Sequence, residues 1–133
     1  MKTKKTKHSV YNLNYHIVLV TKYRHKVLKG DIETFVKKRI GEICEQYEWE
    51  LISLEVMPEH IHLFVSAPPK IAPLTIASTL KSIICVDVFR EFSMLKTYKF
   101  WGSGLFSRGC YYGSAGTVSA ETIKKYIEEQ KDH

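Results

Sequence analysis

Two neighbouring stretches of alternating sequence restrict the fold of this chain more than any other feature. Residues 49–56 and 60–65 each have the composition of a β-strand, and only Met57-Pro58-Glu59 separates them. A link of three residues that contains proline favours a tight turn, so the two strands are predicted to pair as an antiparallel hairpin. The chain is therefore expected to contain an antiparallel sheet.

The two faces of this hairpin differ in chemistry. Successive side chains of a strand point to opposite faces, so every second residue shares a face. One face is predicted to meet the core, through Ile52, Leu54, Val56, Ile61, Leu63 and Val65. The other face is predicted to be polar and to carry Ser53, Glu55, His60, His62 and Phe64. His60 and His62 are thus expected to lie side by side on one rigid surface.

The segments before the hairpin predict a strand and a helix. Residues 11–21 are rich in aromatic and β-branched side chains and are apolar on both faces, which is typical of a central strand. Residues 32–47 repeat apolar side chains at helical spacing, and Asp31 is predicted to cap this helix. The helix is expected to cover one face of the sheet.

The segments after the hairpin predict two more helices and one short strand. Residues 74–92 have helical spacing, with Pro73 or Thr75 at the start, and an irregular aromatic stretch follows. A short strand is predicted at residues 110–112, and Ser119 is predicted to cap a terminal helix within residues 118–133.

The resulting order is β-α-β-β-α-β-α. Its first six elements match the split βαβ arrangement, which is ferredoxin-like or RRM-like: an α+β fold with an antiparallel sheet and two helices on one face. The other face is then free for a site, and the terminal helix is an addition to the fold. With 133 residues, the chain is expected to form one domain over residues 1–133.

Positive charge is concentrated at the start of the chain. Residues 1–30 carry eight Lys and Arg and no acidic residue, whereas the remaining 103 residues have a net charge of −2. A basic arm at residues 1–10 followed by a basic strand end is typical of a protein that binds a phosphate backbone. A solubilising tail is the alternative explanation.

Cysteine usage and hydropathy indicate where the protein works. Cys44, Cys85 and Cys110 are far apart and odd in number, which suits a reducing cytoplasm. No apolar run reaches the roughly 18 to 20 residues that span a bilayer. We expect a cytoplasmic protein with no membrane partner.

Two pairs of residues could carry chemistry. Two imidazoles at positions i and i+2 of a strand, His60 and His62, can both direct a ring nitrogen at one metal ion, although such pairs are more often ordinary surface residues. Tyr126 and Gln130 lie four residues apart and so share one side of the terminal helix. Tyr126 could equally be a tyrosine at the edge of the core with its hydroxyl in water.

Four motifs together resemble the HUH-type single-tyrosine transposases of small prokaryotic insertion sequences, often called the TnpA group. They are Thr21-Lys22-Tyr23-Arg24, Val56-Met57-Pro58-Glu59-His60-Ile61-His62-Leu63, Phe106-Ser107-Arg108-Gly109 through Ser114-Ala115-Gly116, and Lys125-Tyr126-Ile127-Glu128-Glu129-Gln130. The resemblance covers nearly the whole chain. The combination of His-hydrophobic-His with a distant Tyr-x-x-x-Gln is its most specific part.

The resemblance implies a reaction and a set of site residues. It implies that Tyr126 is a nucleophile that attacks a phosphodiester of single-stranded DNA, giving a 5′-phosphotyrosine and a free 3′-hydroxyl before the strands are rejoined. It implies that His60, His62 and Gln130 bind Mg²⁺ or Mn²⁺, which would act on the phosphate as a Lewis acid. The sequence does not identify the base that activates the phenol.

The resemblance also implies partners. Members of the family recognise hairpins at the ends of the element, and here the candidate DNA contacts are Lys4, Lys5, Lys22, Tyr23, Arg24 and Arg108. The family works as a dimer in which each terminal helix completes the site of the other subunit. Residues 113–116 could then act as a hinge, or simply as a turn before the helix.

Three other functions remain open from the sequence. A domesticated HUH nickase would share the chemistry but not the mobility. An RRM-like module that only binds single-stranded nucleic acid would need aromatic pairs where His60 and His62 stand. A nucleotide hydrolase with a histidine nucleophile would need a third alternating histidine where Phe64 stands.

Overall fold

The computed structural model describes residues 13–98, 104–113 and 120–129 of the chain. The strands are β1 (Leu13–Val20), β2 (Glu50–Met57), β3 (His60–Ala67) and β4 (Tyr111–Gly113). The helices are α1 (Asp31–Gln46), α2 (Pro73–Glu91), α3 (Ser93–Tyr98) and α4 (Ala120–Glu129). A 3₁₀ turn, Lys22–Arg24, lies between β1 and α1.

The four strands form one antiparallel sheet in the order β2-β3-β1-β4. β1 lies in the interior of the sheet, as its apolar character on both faces predicted. The connections β1-α1-β2 and β3-α2-β4 each skip one strand, which is the split βαβ arrangement. The predicted α+β fold is confirmed.

The core lies on one face of this sheet, beneath α1 and α2. Ile17, Leu19, Ile61, Leu63 and Val65 project from the two central strands into it and are fully buried. The helices contribute the apolar side chains that recur at helical spacing, namely Val36, Ile40, Ile43, Ile76, Ala77, Leu80, Ile84 and Val88. Both helices therefore cover the same face, as predicted, and the opposite face is left for other contacts.

A β-bulge in β2 corrects the predicted apolar stripe. Leu51 pairs with Val65 and Ser53 pairs with Phe64, so that Ile52 is an extra residue between them. The extra residue shifts the alternation by one position. Leu51, rather than Ile52, therefore joins Leu54 and Val56 against the core.

Two details of the helices differ from the prediction, whereas α2 begins at one of its two predicted starts. Asp31 does not cap α1 but is its first residue, and Gly30 is the N-cap, with φ of 61°. Pro73 begins α2, at a position where a backbone N–H would make no hydrogen bond within the helix, so proline is tolerated there. The stretch after residue 92, predicted to be irregular, contains the six-residue helix α3.

The terminal helix α4 lies on the sheet face opposite α1 and α2. Its Tyr126 packs against Tyr111 of β4, with 5.7 Å between the ring centroids. The predicted cap Ser119, the basic arm at residues 1–10 and Gln130 lie outside the described residues. Within the described ranges, none of the helices has the length and apolar character needed to cross a membrane.

Candidate functional site

The face of the sheet opposite the core brings the predicted histidines into register with residues of every other strand. His62 of β3 pairs with Val18 of β1 on one side and with Glu55 of β2 on the other. Val18 pairs in turn with Tyr111 of β4. Because directly paired residues point to the same face, these four side chains form one row across the sheet. His60 lies in the next row.

His60 is held by the residue that precedes it. Its Nδ1 lies 2.9 Å from Oε1 of Glu59, and the side chains of His60 and Glu59 are 13% and 24% exposed. A carboxylate can only accept this hydrogen bond, so Nδ1 carries a proton and Nε2 is the ring nitrogen left for another partner. A histidine oriented in this way is prepared to offer Nε2 to a metal ion.

His62 contacts two titratable neighbours. Its Nε2 lies 3.3 Å from Nδ1 of His16 on β1, and its Nδ1 lies 3.8 Å from Oε1 of Glu55. Burial lowers the pKa of His62, the nearby His16 and His60 lower it further, and Glu55 partly opposes them. His62 is therefore neutral at pH 7, which is the form that can donate a lone pair to a metal ion.

The sequence did not single out His16, although it sits at the centre of this face. His16 is 8% exposed and stacks on Phe64 with 4.3 Å between the ring centroids. The alternation in the predicted central strand places His16 and Val18 on one face of β1 and Ile17 on the other. Only the register of β1 with β3 shows that His16 and His62 share a face. Glu59 and Lys26 are further residues of the site that the sequence did not indicate.

A pocket of about 750 Å³ opens between the histidines, the 3₁₀ turn and α4. Its lining residues are Tyr23, Arg24, Lys26, Glu55, Met57, Glu59, His60, His62, Ile127 and Glu128. Two cations, Arg24 and Lys26, and three carboxylates, Glu55, Glu59 and Glu128, thus share the pocket with the two histidines. The pocket joins His60 and His62 with two of the predicted DNA contacts, Tyr23 and Arg24.

The predicted nucleophile lies on the same face of the sheet. Tyr126 is half-buried and packs on Tyr111, which belongs to the row of His62. The next two residues of α4, Ile127 and Glu128, line the histidine pocket itself. The helix that borders the pocket in this structure belongs to the same chain as the histidines.

The other predicted site residues divide into two groups. Lys22 has its Nζ 5.9 Å from the ring centroid of Tyr23, and Arg108 is exposed on the loop before β4. Neither belongs to the described lining of the pocket. Gln130, Lys4 and Lys5 lie outside the described residues.

The donor set fits a divalent metal ion in part. His60 and His62 supply two imidazoles on the wall of one pocket, and borderline divalent ions accept imidazole together with oxygen ligands. Over the described residues, however, no group of three His, Cys, Asp or Glu side chains is arranged to hold an ion. A complete site therefore requires a ligand beyond these two histidines.

Comparison with known proteins identifies the family of this chain. Residues 9–130 match the family described as Transposase IS200 like. The chain is 35% identical to the ISDra2 transposase TnpA of Deinococcus radiodurans over 132 residues, which is 99% of this chain and 94% of that protein. It is 28% identical to the transposase for insertion sequence element IS200 of Salmonella typhimurium over 123 residues, 92% of this chain and 80% of that protein. The chain belongs to the IS200-like transposase family.

Solved structures agree with this assignment. A crystal structure of a candidate transposase from Deinococcus radiodurans R1 is 35% identical, covers 98% of this chain and 100% of the other, and superposes with a TM-score of 0.82. The REP-associated tyrosine transposase bound to a REP hairpin is 10% identical and has a TM-score of 0.51, over 95% of this chain and 68% of that chain. This second likeness shows a shared fold.

Proposed function

We propose that this transposase cuts and rejoins single-stranded DNA at the ends of an insertion sequence, with Tyr126 as the nucleophile. The observation that carries the proposal is that His60, His62 and the two residues following Tyr126 border one pocket, which Arg24 and Lys26 also line. The family membership supports DNA as the substrate, and the pocket supplies groups suited to a phosphodiester.

The proposed cleavage forms one bond and breaks another. The phenol oxygen of Tyr126 attacks phosphorus, the bond from phosphorus to the 3′-oxygen breaks, and the phenol proton leaves to a base or to the departing oxygen. The products are a 5′-phosphotyrosine and a free 3′-hydroxyl. Because the linkage keeps the energy of the phosphodiester, a second 3′-hydroxyl can reverse the step and join a new strand. A phenol with an ordinary pKa near 10 needs activation at neutral pH.

The proposed metal ligands are His60, His62 and Gln130. A bound Mg²⁺ or Mn²⁺ would polarise the phosphate as a Lewis acid. The hydrogen bond to Glu59 occupies Nδ1 of His60 and leaves Nε2 as its metal-binding nitrogen, and burial lowers the pKa of His62, which favours the neutral ring that binding requires.

The proposed DNA contacts are Lys4, Lys5, Lys22, Tyr23, Arg24 and Arg108, with the hairpin ends of the element as the partner. We also propose a homodimer in which the terminal helix of one subunit completes the site of the other. The alternative is an arrangement in which each chain uses its own Tyr126, with Ile127 and Glu128 of α4 lining the pocket of the same chain. Most of the proposed hinge at residues 113–116 lies outside the described residues.

The nucleophile is tested by trapping the protein on DNA. Single-stranded oligonucleotides that carry the DNA flanking the gene are incubated with protein and Mg²⁺ or Mn²⁺, and a covalent adduct is sought after denaturation. Tyr126→Phe is expected to abolish the adduct, whereas Tyr47→Phe, at an exposed tyrosine beyond the end of α1, should preserve it. An undiminished adduct in Tyr126→Phe refutes the assignment. Cleavage without any rejoined product would instead indicate a nickase.

The metal role has its own test. Cleavage is expected to stop in a chelator and to return when Mg²⁺ or Mn²⁺ is added. The double variant His60→Ala with His62→Ala should bind neither ion in calorimetry and should not cleave. Cleavage by the double variant in the presence of chelator would exclude a metal held by these residues.

Mixing two inactive variants distinguishes the two placements of the tyrosine. One variant lacks His60 and His62, and the other is Tyr126→Phe. If the helix completes the partner's site, a mixed dimer contains one intact site and cleaves DNA. If each chain uses its own tyrosine, every site in the mixture lacks a group and no cleavage occurs. Native mass spectrometry of each protein tests the dimer itself.

A further inference from the structure

The turn after β1 contains two adjacent residues in a backbone conformation that side chains with a Cβ seldom adopt. Tyr23 has φ of 57° and ψ of 17°, and Arg24 has φ of 52°. The left-handed region is sterically unfavourable for a residue other than glycine, because its Cβ approaches the following carbonyl oxygen. Such conformations persist only where the surrounding structure enforces them, and they concentrate at functional sites.

Hydrogen bonds fasten this turn to the β2-β3 hairpin that carries the histidines. The backbone N–H of Thr21 donates to the carbonyl of Glu59 at 3.0 Å, and the N–H of Leu28 donates to the carbonyl of Pro58 at 3.0 Å. On the other side, the N–H of Lys22 donates to the carbonyl of Leu105 at 2.8 Å. The hydroxyl of the buried Thr21 closes the turn by donating to the carbonyl of His25 at 2.8 Å.

This fastening brings Arg24 to the wall of the histidine pocket. Three carboxylates, Glu55, Glu59 and Glu128, line the same pocket and repel a phosphate. Across the described residues, no carboxylate lies within ion-pairing distance of Arg24, so its guanidinium is not neutralised by them. A guanidinium can form two parallel hydrogen bonds with a phosphate, which fixes both position and orientation.

We infer that Arg24 binds a backbone phosphate of the DNA strand beside the histidine pocket, and that the left-handed backbone at Tyr23 and Arg24 directs it there. This inference rests on single-stranded DNA being the substrate, as proposed above. Among the described candidate cations Lys22, Arg24 and Arg108, Arg24 alone belongs to the described lining of the histidine pocket, although Lys22 lies on the same turn. The turn thereby determines which part of the DNA strand lies at the histidine pocket.

The first experiment measures DNA binding without catalysis. All proteins carry Tyr126→Phe, and the buffer contains EDTA. Binding of a fluorescent single-stranded oligonucleotide is measured by anisotropy titration at several salt concentrations. Arg24→Ala is expected to weaken binding about tenfold and to reduce the salt dependence of log K by about 0.7, the value for one phosphate contact with a single strand. Arg90→Ala, at an arginine that is 75% exposed on α2, is the matched control and should change affinity less than about twofold.

The second experiment separates the backbone from the side chain. Tyr23→Asn and Tyr23→Val both remove the ring and keep Arg24, but asparagine tolerates the left-handed region and a β-branched valine does not. Both variants lose any stacking of the ring on a base, so they are compared with each other, and Tyr23→Val is expected to bind the oligonucleotide at least about threefold more weakly than Tyr23→Asn. Circular dichroism shows whether each variant is folded. If Tyr23→Val does not fold, Tyr23→Asn is still compared with its parent.

The outcomes separate this inference from the proposed function. If the parent with Tyr126 restored forms its adduct but Arg24→Ala keeps the affinity and salt dependence of its parent, the role of Arg24 is refuted and the function stands. Equal binding by Tyr23→Asn and Tyr23→Val refutes the role of the backbone. A protein that forms no adduct and binds no oligonucleotide refutes the proposed function together with this inference.

Discussion

Replacing Glu59 by glutamine tests how far the orientation of His60 matters to the proposed metal site. The variant keeps the shape of the side chain and can still accept a hydrogen bond from Nδ1 of His60, but it removes the negative charge. Glu55, which lies beside His62, provides the matched control because Glu55→Gln removes the same charge from the same pocket.

The structure predicts that Glu59→Gln weakens metal binding more than Glu55→Gln does. Glu59 and His60 form a 2.9 Å hydrogen bond between side chains that are 24% and 13% exposed. A hydrogen bond to a charged group contributes about 1.5 to 3 kcal/mol and a neutral one about 0.5 to 1.5, so the glutamine should cost about 1 to 1.5 kcal/mol. This cost applies to the metal-free protein; from the effect of residues that orient metal-binding histidines, we expect Glu59→Gln to lose about tenfold in metal affinity.

Glu55→Gln is expected to have a much smaller effect. Its Oε1 is 3.8 Å from Nδ1 of His62, which is too far for a hydrogen bond, and its side chain is 71% exposed. Water screens a pair of this kind, whose contribution lies between about 0 and 1 kcal/mol. We expect a loss of metal affinity below about threefold.

Isothermal titration calorimetry with Mn²⁺, on protein without DNA, measures both affinities directly. Unfolding in urea for each variant shows whether stability changed at the same time. The reasoning fails if Glu55→Gln weakens Mn²⁺ binding as much as Glu59→Gln does. It fails as well if Glu59→Ala, which removes the acceptor entirely, binds Mn²⁺ as tightly as the unmodified chain.

Three further predictions concern the fold around the site. Leu63→Ala, at a fully buried core side chain next to His62 in β3, should lower the free energy of unfolding by about 2 to 5 kcal/mol in urea denaturation, whereas Ser53→Ala on the exposed face should change it by less than about 0.5 kcal/mol. Thr21→Val removes a buried hydroxyl donor and should cost about 1 to 3 kcal/mol, while Thr34→Val at an exposed hydroxyl should cost little; equal losses would contradict the anchoring of the turn. Burial raises the pKa of the Cys110 thiol, so iodoacetamide should modify it slowly at pH 8 in folded protein and quickly in urea. The free energy of unfolding should also decline as pH rises above about 9, because the thiol of the unfolded chain loses its proton first. Rapid modification of the folded protein would contradict this.

Much of the fold could be predicted from the sequence because it depends on local periodicity. The alternation of His60, Ile61, His62 and Leu63 determines that the histidines face away from the core, whatever the strand pairs with. The helical spacing over α1 and α2, interrupted at the hairpin, leads to the observed order of elements. The order of elements then leaves few ways to pair four strands.

Details that depend on contacts between distant segments could not be predicted in this way. Ile52 and Leu51 are both apolar, so the alternation alone could not reveal the bulge that exchanges their roles. Tyr23 and Arg24 carry no signal for a left-handed backbone, because the hydrogen bonds that enforce it come from Pro58, Glu59 and Leu105. Packing decided these features against the local preference of the chain.

The sequence by itself determined a sheet with one apolar face and a pair of histidines on the other, because a strand of period two fixes the direction of each side chain locally. Only the tertiary structure decided what surrounds those histidines. The register of β1 brings His16 against His62, the hairpin turn brings Arg24 to the pocket, and α4 brings Tyr126 to the same face. These residues are far apart in sequence: His16 precedes His62 by 46 positions, Arg24 precedes His60 by 36, and Tyr126 follows His62 by 64. Their approach is set by packing in space rather than by the neighbours along the chain.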